Sequence, residues 1–274
     1  MIEYSSDKLD EIVSSTFISL LDKIPKPENA IKVLNFEGGE IRVQRLFTLG
    51  NISAITGKQK SKKSLLASLL MAASSGNTTI ERKFKGVMEN KTITVYIDTE
   101  QARYDSQKVG QRIVEAGGNI DNVNIYCLRE YTPKQRLAII ERIFTKYGEY
   151  IGLVVLDGVA DLCNSINDEV EATMVANLLM KWTSMYNFHI TTIIHQNKGD
   201  AYATGHIGSA IMKKSECVIS IKRNDDQPKK SLVECTLIRG VGHFSNFEME
   251  ITERGLEIED LKNLSSQYKE VDYD

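Results

Sequence analysis

The stretch Asn51-Ile52-Ser53-Ala54-Ile55-Thr56-Gly57-Lys58-Gln59-Lys60-Ser61-Lys62-Lys63-Ser64-Leu65-Leu66 leaves the chain few ways to fold. Ile52, Ala54 and Ile55 give an apolar run of strand length, and Gly57 breaks it. Leu65, Leu66, Leu69, Leu70 and Ala73 then recur at helical spacing. A buried strand handing over to an apolar helix through a polar loop needs a sheet for the strand and a cover for the helix.

The loop follows the phosphate-cradling pattern G-x-x-x-x-G-K-[ST] at Gly57, Lys63 and Ser64, with Lys62 where the second glycine stands. A loop this short can wrap backbone N–H groups around an anion. The helix behind it aims unpaired N–H groups and a partial positive charge at the same point. Gly57, Lys58, Gln59, Lys60, Ser61, Lys62, Lys63, Ser64 and Leu65 are the candidate nucleotide-binding residues. Lys63 is expected to reach the β- and γ-phosphates of ATP, and the Ser64 hydroxyl to sit on Mg²⁺. Lys62 either crowds the phosphates or adds charge to them.

Three more strands end in chemistry. Thr92 to Ile97 is a β-branched run that closes in Asp98, Thr99, Glu100 and Gln101. Ile151-Gly152-Leu153-Val154-Val155-Leu156 is apolar without alternation, as in a strand covered on both faces, and ends at Asp157. Ile190 to Ile194 ends at His195-Gln196. In open α/β sheets ligands sit beyond the carboxyl ends of the strands. Asp157 is therefore expected to share Mg²⁺ with Ser64, and Glu100 to deprotonate the attacking water. Asp98 is the rival acid, two residues deeper. Gln196 is preferred over His195 as the group that senses the γ-phosphate. Arg239, or else Arg223, is the candidate arginine acting on a neighbouring copy.

The remaining pattern alternates strands and helices. Helices are expected over about 6–23, 102–116, 133–147 and 168–187, with a short one near 209–215. Strand-like pieces fall at 31–34, 41–43, 123–128, 218–221, 232–238 and 244–251. Gly38-Gly39 turns the chain between the first two pieces, and residues 77–91 read as a polar excursion. The expected fold is α/β, with a mostly parallel central sheet covered by helices on both faces and a β-hairpin-rich C-terminal end. Residues 1–45 form an N-terminal helix and short strands that pack on the core or on a neighbouring subunit. Residues 46–255 form the core, and 256–274 a polar tail that is expected to fray from Leu261 onward.

Charge narrows the partners. The net charge is −3, so nucleic acid cannot be held over the whole surface and any contact must be local. The loop from Asn197 to Gly208 carries glycines, Lys198, Tyr202 and His206. In a ring such loops line a channel, with Lys198 and His206 as the candidate DNA contacts. Four dispersed cysteines fit a reducing cytoplasm. No apolar run has the length of a membrane span.

Taken together, the loop Gly57 to Ser64, Tyr96-Ile97-Asp98-Thr99-Glu100, Val154-Val155-Leu156-Asp157, Ile193-Ile194-His195-Gln196-Asn197-Lys198 and Gly205-His206-Ile207-Gly208-Ser209 resemble the RecA-like P-loop ATPases. The likeness is greatest to the plasmid RepA-type and DnaB-like hexameric helicase branch, and it covers roughly Leu46 to Ile251. It implies a RecA-like P-loop NTPase fold and a homo-oligomeric ring such as a hexamer. It also implies ATP with Mg²⁺, single-stranded DNA in the pore, and a replication or mobilisation role on a plasmid, phage or mobile element. An ATP-dependent switch, loader or recombination accessory without unwinding activity is the alternative.

Overall fold

A computed structural model of the chain describes residues 4–37, 39–196, 205–253, 255–258 and 270–273. In chain order the elements are α1 (Ser6–Thr16), β1 (Asn29–Glu37), β2 (Glu40–Thr48), β3 (Ile52–Gly57), α2 (Lys63–Gly76), β4 (Thr79–Ile80), β5 (Phe84–Gly86), β6 (Ile93–Asp98) and α3 (Arg103–Glu115). There follow β7 (Val123–Cys127), α4 (Pro133–Tyr147), β8 (Ile151–Asp157), α5 (Glu169–Tyr186), β9 (His189–His195), α6 (Gly205–Lys214), β10 (Cys217–Arg223), β11 (Lys230–Ile238), β12 (Phe247–Thr252), β13 (Gly255–Ile258) and β14 (Glu270–Asp272).

The large sheet has nine strands in the order β13-β12-β11-β10-β3-β9-β8-β6-β7. Pairing is parallel from β10 across to β7. It is antiparallel through β10, β11, β12 and β13. The sheet is therefore mixed, which corrects the expected mostly parallel, RecA-like core. Short turns explain the reversal: a parallel neighbour needs a long crossover, and these strands follow one another too closely to make one. In the turn after β10, the Asn224 side chain accepts from the backbone N–H of Asp226 and Gln227.

A second sheet, ordered β14-β2-β1-β5-β4, was not expected. Its hairpin β1–β2 is long, pairing Asn29 with Thr48 at one end and Glu37 with Glu40 at the other. The segment 77–91 is no mere excursion, since β4 and β5 extend this sheet. Residues 270–273, the described part of the expected fraying segment, are paired in a strand or bonded beside it. β13 joins the large sheet, and β14 lies parallel to β2 with Lys32 bonded to Asp272 and Lys85 to Glu270.

Helices cover both faces of the large sheet. On one side, α2 and α3 pack with β1, β2 and β5 around Leu66, Leu70, Phe84 and Ile113. On the other, α4, α5 and α6 bury Phe144, Trp182 and Ile211. Local chemistry sets the helix ends. Thr132 and Gln135 form a reciprocal cap at the start of α4, with Pro133 in its first turn. Asp168 caps α5. α1 stops at Thr16, short of the expected Lys23, and the Ser15 and Thr16 hydroxyls bond back to Ile12 O. None of its residues is buried, and Val13, Phe17, Leu20 and Leu21 face solvent in the single chain.

At the amino ends of the parallel strands lies a sealed polar cluster. His189, which is fully buried, stacks on Phe47 with ring centroids 4.4 Å apart. Its Nε2 lies 2.8 Å from Ser53 Oγ and its Nδ1 2.8 Å from Thr48 O. Glu216 accepts from the backbone N–H and the hydroxyl of Thr48, each at 2.7 Å. Burial pushes the His189 imidazole down to about 3, so it is neutral. The neutral ring then donates from Nδ1 to the carbonyl and accepts from Ser53 at Nε2. The cluster stitches the small sheet to the large one.

Candidate active site

The carboxyl ends of β3, β6, β8 and β9 lie side by side, because Gly57 pairs with His195, Asp157 with Ile193 and Asp98 with Asp157. Each strand hands over to a loop at the same edge of the sheet. This register brings the phosphate-type loop, two acids and an imidazole together.

The loop is shaped by its backbone. Gly57 has no room for a side chain, since a Cβ there would fall 2.5 Å from Ile221 O and 2.5 Å from Ser61 Oγ. Lys60 and Lys62 are left-handed, with φ of 62° and 73°. For residues other than glycine that conformation costs about 1 kcal/mol or more. Lys62 thus holds the geometry that the motif assigns to glycine. Its side chain neither crowds the loop nor points into it. Its Nζ donates to Lys230 O and Ser231 Oγ on β11, both at 2.9 Å. Lys58, Gln59 and Lys60 are exposed at the loop tip, and Leu65 is half-buried in the first turn of α2. The Ser61 hydroxyl is buried without a hydrogen-bond partner among the described residues.

Lys63 is 5% exposed and curls back over the loop. Its Nζ donates to Gly57 O and Lys58 O, both at 2.9 Å, and lies 3.2 Å from His195 Nδ1. Burial lowers the Lys63 pKa, while the Asp157 and Glu100 charges oppose that shift. Ser64 Oγ donates to Asp157 Oδ2 at 2.8 Å. The same carboxylate oxygen accepts a short bond from the Tyr96 hydroxyl. Burial raises the Asp157 pKa. The bonds from Tyr96 and Ser64 pull the other way.

Glu100 stands at the mouth, with its side chain 42% exposed. His195 Nε2 lies 3.5 Å from its carboxylate. That contact, more than any other, holds the Glu100 pKa below the usual carboxylate range. His195 thus bridges the lysine and the acid. With Lys63 donating to Nδ1, the Nε2–H is directed at Glu100. Gly158, at φ 92°, leaves room for this arrangement, since a Cβ there would meet Thr99 Oγ1 at 2.1 Å and Glu100 Cγ at 2.9 Å.

Asp98 is a structural acid. Its Oδ1 accepts from the backbone N–H of Glu100 and Gln101, and its Oδ2 from Ser106 Oγ. It builds the turn that presents Glu100. Arg136 of α4 braces the same region, donating to Leu128 O, Asp161 O, Thr99 O and Arg129 O. Neither Tyr96 nor Arg136 was a candidate site residue, since Tyr96 acts through Asp157 and Arg136 in part through Thr99 and Asp161, all remote in the chain.

Other candidates fall elsewhere. Gln196 faces Thr56, whose Oγ1 lies 3.3 Å from its Nε2, and it is His195 that lies beside Lys63 and Glu100. Successive strand residues point to opposite faces, and register alone decides which reaches the acids. Arg239 follows β11 at the opposite edge of the sheet, where it donates to Lys213 O. Within one chain it does not reach the loop. Arg223 ends β10 near Lys62, whose pKa it helps burial to lower. His206 is exposed in the first turn of α6. Lys198 lies outside the described residues. A groove of about 1140 Å³ along α3 and β7 includes none of Lys63, Glu100, Asp157 or His195.

The residues fit a Mg²⁺-bound triphosphate. The cradle excludes a side chain at Gly57, the lysine sits within it, and a hydroxyl and a carboxylate meet beside it. No cluster of three His, Cys, Asp or Glu that could hold a metal ion occurs among the described residues. Mg²⁺ characteristically takes one or two carboxylates plus substrate phosphates, so a lone Asp–Ser pair suits it. The chain matches no family model, and no curated protein matches it.

Proposed function

We propose that this protein hydrolyses ATP with Mg²⁺ and couples that reaction to single-stranded DNA, in the manner of the plasmid RepA-type helicases. The supporting observation is the 2.8 Å bond from Ser64 to Asp157, which joins the end of the loop to the end of β8 across the intervening β9, with Lys63 and Glu100 alongside. Mg²⁺ would neutralise charge building on the phosphate oxygens. Ser64 and Asp157 would hold it. Lys63 would exchange its bonds to Gly57 O and Lys58 O for phosphate oxygens. Glu100, kept ionised by His195, would accept a proton from the attacking water.

A ring is part of this reading. The apolar side of α1 and the residues after it find no cover among the described residues, which supports packing on a neighbouring copy. Arg239, far from its own loop, would then act on the next subunit. No helix among the described residues is long and apolar enough to cross a membrane.

The test is ATP turnover with and without single-stranded DNA, with mass measured in solution. Stimulated turnover in an oligomer, lost in Lys63→Ala and in Glu100→Gln, is the expected outcome. Glu100→Gln should retain ATP. No Mg²⁺-ATP binding by the wild type would overturn the reading. Turnover without strand displacement would favour a switch, loader or recombination accessory. The net charge of −3 is the observation on that side.

A further inference from the structure

Lys62 is where the loop departs from its motif, and the structure gives that departure a partner. The residue sits left-handed at φ 73°, in a place where glycine bears no strain. Its ammonium reaches 168 and 169 positions along the chain to Lys230 O and Ser231 Oγ. Ser231 is fully buried. Lys230 leans in turn on Glu248 and Glu250 of β12, at 3.6 and 3.8 Å. The loop is thus fastened to the antiparallel arm of the sheet, which otherwise brings no side chain to the Lys63, Ser64, Glu100 and Asp157 group within one chain.

We propose that Lys62 is a positioning residue through which the antiparallel arm sets the shape of the phosphate loop, and so its grip on a triphosphate. The inference rests on the ATP reading above. Its physical content is a contest between strain and tether. A side chain at this position is driven toward negative φ, and the two hydrogen bonds to β11 oppose that drive. If β11 shifts, the bonds fail and the backbone at 62 swings. Lys63 and the first N–H groups of α2 swing with it. Glycine would feel neither influence. A glycine loop is correct whatever the arm does, whereas this loop is correct only while the arm is docked.

The substitutions Lys62→Ala and Lys62→Gly separate the two influences. Alanine keeps the strain and loses the tether, so Mg²⁺-ATP affinity should fall about tenfold, the scale of left-handed strain in a non-glycine residue. Glycine loses both, and affinity should stay within about threefold of the wild type. Ser231→Ala should weaken binding about threefold beside Lys62, as expected for one lost hydrogen bond, and leave Lys62→Gly unaffected. Turnover at saturating ATP should fall by less than affinity does in Lys62→Ala, a split that marks positioning rather than chemistry. Equal behaviour of the alanine and glycine variants, or an equal effect of Ser231→Ala in both backgrounds, overturns the proposal. Amide hydrogen exchange over residues 58–62 without nucleotide tests the tether on its own. Exchange should quicken in Lys62→Ala and in Ser231→Ala. Unchanged protection refutes the tether even in a protein that binds ATP, and quickened exchange in one that binds none refutes only the ATP reading.

Discussion

Strand β9 begins and ends with histidine, and the two ends of this one strand do different work. His189 is sealed between Phe47, Ser53, Thr48 and Glu216, with no path to solvent. His195 sits six residues on, between Lys63 and Glu100, with its side chain 35% exposed. The first holds hydroxyl, imidazole and carboxylate within reach of one another, yet nothing can enter to be acted on. The second holds less regular geometry in an open mouth. Access, more than the identity of the side chains, separates a joint between two sheets from a place where chemistry can occur.

The comparison can be broken at several points. The largest effect belongs to the open end. Lys63→Ala should lower ATP turnover roughly 10²- to 10³-fold, as for other lost charge-stabilising donors, with melting temperature little changed. A steady-state assay beside a thermal melt checks both. The histidines should then trade places. His189→Ala should cost about 3 kcal/mol of stability by opening a hole and removing the imidazole partner of Thr48 O. Its turnover at low temperature should hold within about twofold. His195→Ala should cut turnover by about tenfold or more while stability moves by less than about 0.5 kcal/mol. Denaturant melts and kcat for both variants decide it, and a turnover defect in His189→Ala without lost stability would erase the distinction.

Acid sharpens the contrast further. His189 titrates at about 3 when folded, against an ordinary value of 6.5. The unfolded chain therefore binds the extra proton between those values, and stability is lost as pH falls from about 6.5 toward 3. The slope approaches about 1.4 kcal/mol per pH unit. Glu216 contributes the reverse slope, since burial raises its pKa and its protonated form favours the fold. The difference between wild type and His189→Ala, melted across that range, isolates the imidazole. A parallel pair of curves would show that the ring is not buried neutral. Smallest of all is Gln196→Ala, which should change turnover by less than about threefold, since that side chain serves Thr56 rather than the acids.

Much of the open end was legible beforehand, and the reason is locality. Gly57, Lys63 and Ser64 are fixed relative to one another by a few bonds of backbone. Glu100 and Asp157 were expected at one place because strand ends in an open sheet share one edge, and the strands do end side by side. Distance along the chain hid the rest. Choosing between His195 and Gln196 required knowing that His195 pairs with Gly57, and pairing is not written in β9 itself. Tyr96 and Lys62 touch Asp157 and Ser231, 61 and 169 residues away. The mixed direction of the sheet escaped because a short apolar run does not reveal which way it points. The β4–β5 hairpin escaped because its turn places Glu81 and Arg82 at positive φ, where Asn and Gly are the usual signal.

One piece of the smaller sheet has a bearing on how the molecule is made. β14 closes that sheet against β2, and Lys32 meets Asp272 across 240 positions. During synthesis the edge of β2 must wait, unpaired, until β14 has emerged from the ribosome. A waiting edge is open to capture by any stray strand, including one from a sibling nascent chain. Products halted before β14 would carry that edge permanently bare, and cellular quality control would meet them as sticky fragments.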